Sequence, residues 1–235
     1  MLKAKDFRHQ AWTALHGKWG MMALCTLIFE LIIGACAGLA YFYVGGIAML
    51  LLAGPLELGY AILALHVARL NAVKVDNLFD GFKNYVKALA LYIINGIFIA
   101  LWSLLLVIPG IIKTYSYSMS MYILADNPDI DANEARKQSM AMMKGNKWRL
   151  FCLDFSFIGW WILCGITLGI LSFWITPYHE CAHAEFYQEL LAKNGVNVQP
   201  VEEAPAALPE APADPYAEEA PAAEEAVEEN NTDAE

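Results

Sequence analysis

Residues 102–126 read WSLLLVIPGIIKTYSYSMSMYILAD. An apolar run meets Pro109-Gly110 and restarts as a segment rich in Tyr and Ser. Proline and glycine break regular helix, and the runs on either side are too apolar for a solvated loop. The stretch is expected to be the turn of a transmembrane helical hairpin, with its arms before and after Pro109-Gly110.

The same pattern recurs outward from it. Trp19 to Val44 is an apolar span, Gly45-Gly46 is the expected turn, and Ile47 to Leu70 returns. Ala88 to Ile108 is the third span and Ile111 to Ala125 a short fourth. A span needs about 20 apolar residues. Leu150 to Thr176 is apolar throughout, and reads either as one tilted helix or as two arms. Two arms are preferred, broken near Cys164-Gly165, with the second continuing through Pro177 to about Leu191. The fold class expected is all-α: a polytopic membrane protein with about six transmembrane helices in three hairpins.

Between the spans lie amphipathic pieces. Residues 5–17 put Phe7, Ala11, Ala14 and Leu15 on one helical stripe, and residues 71–87 cluster Leu78, Phe79, Phe82 and Tyr85. Both are expected as interfacial helices. In 126–149, Asp131 or Asn133 is positioned to cap a helix running to Met143, closed by Gly145. The basic-aromatic junctions Gly17-Lys18-Trp19, Lys83-Asn84-Tyr85 and Gly145-Asn146-Lys147-Trp148 suggest three repeated units of interfacial helix plus hairpin. Fourteen of the 15 Lys and Arg residues fall on one face of this layout, Lys113 being the exception. Positive residues stay cytoplasmic, so both termini are expected inside, in a multi-pass protein of the plasma (inner) membrane.

Composition agrees. Hydrophobic residues make up 58% of the chain and charged ones 17%, with mean hydropathy +0.40. The net charge of -10 comes from the C-terminal segment, since 12 acidic residues and no Lys or Arg follow Lys193. The rest holds 13 acidic against 15 basic residues. Two parts follow: a helical membrane domain over 1–193 and a disordered, acidic Ala/Pro/Glu-rich cytoplasmic tail over 194–235. Cys25, Cys36, Cys152, Cys164 and Cys181 sit in apolar runs with no paired spacing, as small hydrophobes do.

The segments LFDGFKNY (78–85), LWSLLLVIPGIIKTYSYSMSMYILADNPD (101–129), EARKQSMAMMKGNKWRLF (134–151), SFIGW (156–160) and PYHECAHAEFYQEL (177–190) resemble a bacterial integral-membrane family catalogued as domain-of-unknown-function family 975. The resemblance covers roughly residues 1–192. More distantly, the proline hairpin and the helix after it are similar to the membrane domain attached to some glycerophosphodiesterases, whose catalytic domain has no counterpart here. The resemblance implies a multi-helix plasma-membrane protein and brings no activity and no site residues.

Charge inside a bilayer is costly and marks function. Glu30 lies about 11 residues into the first span and Glu57 at similar depth in the second, at 1.5 Å rise per residue. His179 and Glu180 reach similar depth in the sixth helix. These four are the candidate ion site; the alternative is a set of neutral polar contacts between helices. His179-Glu180-Cys181-Ala182-His183 also matches HExxH, in which two histidines at i, i+4 bind zinc and the glutamate acts as base. A third ligand would have to come from Glu185 or Glu189. Asp154 lies near enough to pair with Lys147 or Arg149. The hydroxyls of Tyr115, Ser116, Tyr117, Ser118, Ser120 and Tyr122 suit close helix packing, or else a substrate groove.

No phosphate loop, nucleophile elbow or nucleic-acid module is present. The leading expectation is a membrane protein without enzymatic activity or cofactor, serving membrane organisation or supporting a partner. Its partners would be the lipid bilayer and a second copy or another membrane protein, not nucleic acid. The alternative is a small transporter or channel using Glu30 and Glu57. A zinc metalloprotease through HECAH, with His179, His183 and Glu185, ranks third.

Overall fold

A computed structural model describes residues 2–39 and 44–194, which form helices joined by short turns, with no strand among them. In chain order these are α1 (Ala4–Ala14), α2 (Trp19–Leu39), α3 (Val44–Ala68), α4 (Asp76–Phe79), a 3-10 segment (Asp80–Asn84), α5 (Tyr85–Leu105), α6 (Val107–Tyr117), α7 (Ser120–Asp126), α8 (Ala132–Met142), α9 (Lys147–Phe155), α10 (Ile158–Ile166) and α11 (Ser172–Lys193). The acidic segment at 195–235, expected to be disordered, lies outside the described residues.

The helices surround α3, which packs on α2, α5, α7 and α11. Four stretches are long and apolar enough to cross a membrane: Trp19–Gly38, Ala48–Ala68, Asp76–Leu104 and Lys147–Ile166. The one in α3 is 61% buried inside the protein, against 22%, 11% and 22% for the others. Small residues allow this. Ala53, Ala61 and Ala64 are buried on α3, and a Cβ on Gly54 would come within 3.0 Å of the Ala88 carbonyl of α5. The outer helices turn their large side chains outward, with Leu31, Leu104, Leu106, Ile108 and Ile166 all well exposed. Water would not tolerate an apolar belt of this extent, and lipid covers one at no cost.

The turns differ from those expected. The α5–α6 hairpin breaks at Leu106, which is extended (φ -159, ψ 137), rather than at Pro109-Gly110. Pro109 instead occupies the first turn of α6. There the missing N–H costs nothing, because first-turn amides have no intrahelical acceptor. Gly110 lets α6 lie against Ser103 of α5, and Lys113 sets its ammonium 5.0 Å from the centre of the Trp102 ring. Gly45 and Gly46 lie in the first turn of α3, so the preceding connection falls at 40–43, outside the described residues. The run 150–176 is divided at 156–157, between α9 and α10, and at 167–171, rather than at 164–165. Leu168 (φ 52) and Gly169 (φ 85) are left-handed there, and the Gly169 N–H closes the end of α10 on the Cys164 carbonyl (2.9 Å). α11 then runs unbroken through Pro177.

The apolar face of α1 is covered by protein. The α1 stripe is buried as Phe7, Ala11, Ala14 and Leu15, with Phe7 edge-on to Phe186 of α11 at 5.2 Å. An apolar face expected to meet lipid therefore meets α11. α8 starts at Asp131, whose carboxylate accepts from the Asn133 N–H (3.0 Å), and Gly145 ends it at φ +82. Gly17 has nearly the same φ (+80) after α1, so two of the three basic-aromatic junctions share a left-handed glycine. The third carries the 3-10 segment instead.

Basic side chains at these junctions bind protein groups. Lys18 donates to the Asn71 carbonyl (2.7 Å), Lys87 to the Pro128 carbonyl (2.6 Å) and Arg149 to Glu189 (2.7 Å). The gap between α6 and α7 is bridged from α8. Fully buried Ser139 accepts from the Met119 N–H (3.2 Å) and donates to the Ser116 carbonyl (2.9 Å). Ser139→Ala leaves that amide buried and unpaired. We expect it to lower stability by about 1–3 kcal/mol, measured as the denaturation midpoint in mild detergent.

Candidate polar site between the helices

Three adjoining cavities, each partly open to the surroundings, lie among α2, α3, α5, α6, α7, α9 and α11. The largest, about 650 Å³, is lined by Glu57, Asn95, Thr114, Ser118 and Ser120 among apolar side chains. A second, about 280 Å³, shares Glu57 and Ser118 with it and adds Tyr122, Glu180 and His183. A third, also about 280 Å³, shares His183 and Ser118 and adds Tyr115 and Asp154.

The few polar groups in the first, mostly apolar cavity present mainly acceptors. Thr114, Ser118 and Ser120 each donate their hydroxyl proton to a helix carbonyl: Gly110 (3.2 Å), Tyr115 (3.1 Å) and Tyr117 (2.6 Å). Their remaining capacity is as acceptors. Asn95 donates its amide N–H to Ser120 Oγ (2.9 Å), which leaves its buried Oδ1 without a partner. Glu57 is exposed to the cavity despite its place in the middle of α3, just past Pro55. The hydroxyls of Thr114, Ser116, Ser118 and Ser120 thus bond back to their own stretch of helix, and Ser120 and Tyr122 also bond across, to Asn95 and Glu180.

The second constellation sits on α11. His179 and His183 are one turn apart, and their rings lie 4.3 Å apart between centroids. Both Nε2 atoms meet Asp154 Oδ1 of α9, at 3.0 and 2.6 Å. α9 runs antiparallel to α11, since Arg149 meets Glu189 while Asp154 meets His183. Arg149 and Asp154 are five residues apart, about 140° around the helix at 3.6 residues per turn. The pairing of Asp154 with Lys147 or Arg149 is therefore replaced by one with the histidines. Glu180 accepts from the Tyr122 hydroxyl (2.8 Å), and its other oxygen lies 3.8 Å from His179 Nδ1. Phe157 and Trp161 stand edge-on to the His179 ring at 5.1 and 5.9 Å.

Of the four residues read as an ion cluster, Glu57 and Glu180 share a cavity wall, and His179 lies beside Glu180. Glu30 is exposed on α2 and lines none of the three cavities. Glu185 and Glu189 do not converge on the histidines: Glu185 is two residues, about 200°, from His183, and Glu189 binds Arg149. Among the described residues, the group of His, Cys, Asp and Glu whose ligand atoms all lie within 4.8 Å of one another is Asp154, His179 and His183. Asn95 is the site residue that sequence reasoning missed, and Asp154 is the one it assigned to Lys147 or Arg149 instead of to the histidines.

A family model described as protein of unknown function (DUF975) matches residues 1–116 and 104–194. No curated protein and no solved structure matches the chain.

Proposed function

We propose a function from the premise that this chain belongs to the DUF975 family of proteins of unknown function: it is an integral protein of the plasma membrane, not an enzyme, and it binds and passes a small cationic solute between its helices. The observation that carries this is the cavity of about 650 Å³, mostly apolar, that sets Glu57, Asn95, Ser118 and Ser120 on one wall. A carboxylate in an apolar helix is costly unless a counter-charge visits it, and the lone pairs around it suit a cation or a donor-rich headgroup. The basic junctions gather at one end of the bundle. That end would face the cytoplasm with both termini, because Lys and Arg are retained on that side. A supporting role in membrane organisation, with no solute carried, is the second reading. It draws on the interhelical bonds of Ser120 to Asn95 and of Tyr122 to Glu180.

Proteoliposomes holding the full chain test this, with labelled methylammonium and rubidium as the probes. We expect uptake above protein-free liposomes, cut at least about tenfold by Glu57→Gln, the equivalent of about 1.4 kcal/mol. Glu30→Gln is expected to leave it unchanged. Wild-type uptake no faster than in empty liposomes, or uptake indifferent to Glu57→Gln, removes the transport reading in favour of the structural one.

A further inference from the structure

We propose that Asp154, His179 and His183 bind one divalent transition-metal ion of the zinc class. The inference does not depend on solute passage, because it stands on three side chains of α9 and α11 and the groups packed around them.

The three ligand atoms already converge. Asp154 Oδ1 lies 3.0 Å from His179 Nε2 and 2.6 Å from His183 Nε2, and all three fall within 4.8 Å of one another. Two imidazole nitrogens share one carboxylate oxygen, whose two lone pairs meet both. A tetrahedral zinc ion at about 2.0–2.1 Å from each ligand needs ligand atoms about 3.3 Å apart. The His179 distance of 3.0 Å reaches that value by opening about 0.3 Å and the His183 distance of 2.6 Å by about 0.7 Å, a movement that side-chain rotation on fixed helices can supply.

The surroundings are those of a ligand set. The spacing i, i+4 on α11 points both rings the same way. Antiparallel α9 supplies a carboxylate from the opposite side. Phe157 and Trp161 fix the plane of His179. Behind that ring Glu180 lies near Nδ1, itself held by the Tyr122 hydroxyl at 2.8 Å. A carboxylate behind a ligating imidazole selects the tautomer whose Nε2 is free for metal. This also gives Glu180 an orienting role, in place of the general-base role that HExxH suggests. On the open side, the cavity lined by Asp154, His183 and Tyr115 leaves room for a water or solute ligand. Two nitrogens and one oxygen suit zinc, cobalt, nickel or iron(II) over magnesium or calcium, which prefer all-oxygen sites.

The test uses the full chain purified in mild detergent, free of any affinity histidines and stripped with chelator. It is titrated with Co²⁺ and then Zn²⁺. We expect one Co²⁺ per chain with the intense visible absorption of four-coordinate cobalt, displaced by Zn²⁺. Asp154→Asn and His183→Gln keep hydrogen-bonding capacity but lose ligation. They should weaken binding by more than the roughly 10–100-fold that loss of an outer-shell partner costs, whereas Glu185→Gln leaves it unchanged. Should a variant lose its fold, X-ray absorption of the zinc-bound wild type reads imidazole ligation directly. Substoichiometric metal in the wild type, binding unaltered in folded Asp154→Asn and His183→Gln, or a zinc spectrum without imidazole overturns the proposal.

Discussion

Asp126→Ala is expected to destabilise the protein by about 3–5 kcal/mol, the cost of stranding one member of a buried ion pair. Asp126 closes α7 and its Oδ2 meets Arg69 Nη2, from the end of α3, at 2.7 Å. Their side chains are only 5% and 9% exposed. Tyr187 of α11 donates to the same oxygen at 3.0 Å, so three helices meet at one carboxylate. Removing it leaves a guanidinium buried without its counter-charge. Arg69→Met in the same chain should recover most of the loss, because the pair together contributes far less than its breakage costs. The readout is the denaturation midpoint in mild detergent for both single variants and the double. A loss under about 1 kcal/mol would assign the pair to the ordinary exposed class and contradict a junction of α3, α7 and α11 at this point.

Gly59→Ala and Gly81→Ala come next in expected size. The 3-10 segment crosses α3 with the two glycines almost in contact. A Cβ on Gly59 would collide with the Leu78 carbonyl, and one on Gly81 with the Pro55 carbonyl and the Gly59 nitrogen. These obstacles are backbone, which cannot rotate aside as a flexible side chain does. Each substitution is expected to cost at least the 1–3 kcal/mol or so of an overpacked core and to lower the yield of monodisperse protein. Gly20→Ala on exposed α2, with nothing within 4 Å of the added carbon, is the control. It should be neutral, or stabilising by up to about 1 kcal/mol through helix propensity. Equal midpoints for all three would remove the close crossing.

The all-helical fold was legible because its signals are local. The α1 stripe, the Asp131 cap, the left-handed Gly145 and the division of 150–176 all follow from period, capping and composition within a dozen residues. The positions of the turns were not, and the site depends on them. A break at 164–165 pairs α11 residues with partners nearer Lys147. The observed turn is centred near Gly169, some four residues later, and that shifts the antiparallel partner by about eight. Asp154 comes opposite His183 only in the second register. Pro109 misled for a related reason. Proline marks a helix boundary, but its preferred place is just after the boundary, so the break falls at Leu106. Glu57 was found from its depth alone. Glu30, at the same depth, faces outward, since depth does not report which way an apolar helix with no polar stripe is rotated. Asn95 carried no sequence signal, as its role comes from Ser120 taking one side of its amide.

The account rests on a bundle set in lipid with its basic end on one side. Cysteine accessibility in intact and opened cells tests this most directly. Single cysteines at Lys144 and Leu168 would be placed in a background lacking the five native ones, which are all free thiols. The two positions flank the stretch Lys147–Ile166, and Leu168 is 93% exposed. The account predicts that an impermeant thiol reagent modifies Leu168→Cys in intact cells and Lys144→Cys only after the cells are opened. Modification of both from the same side would contradict it.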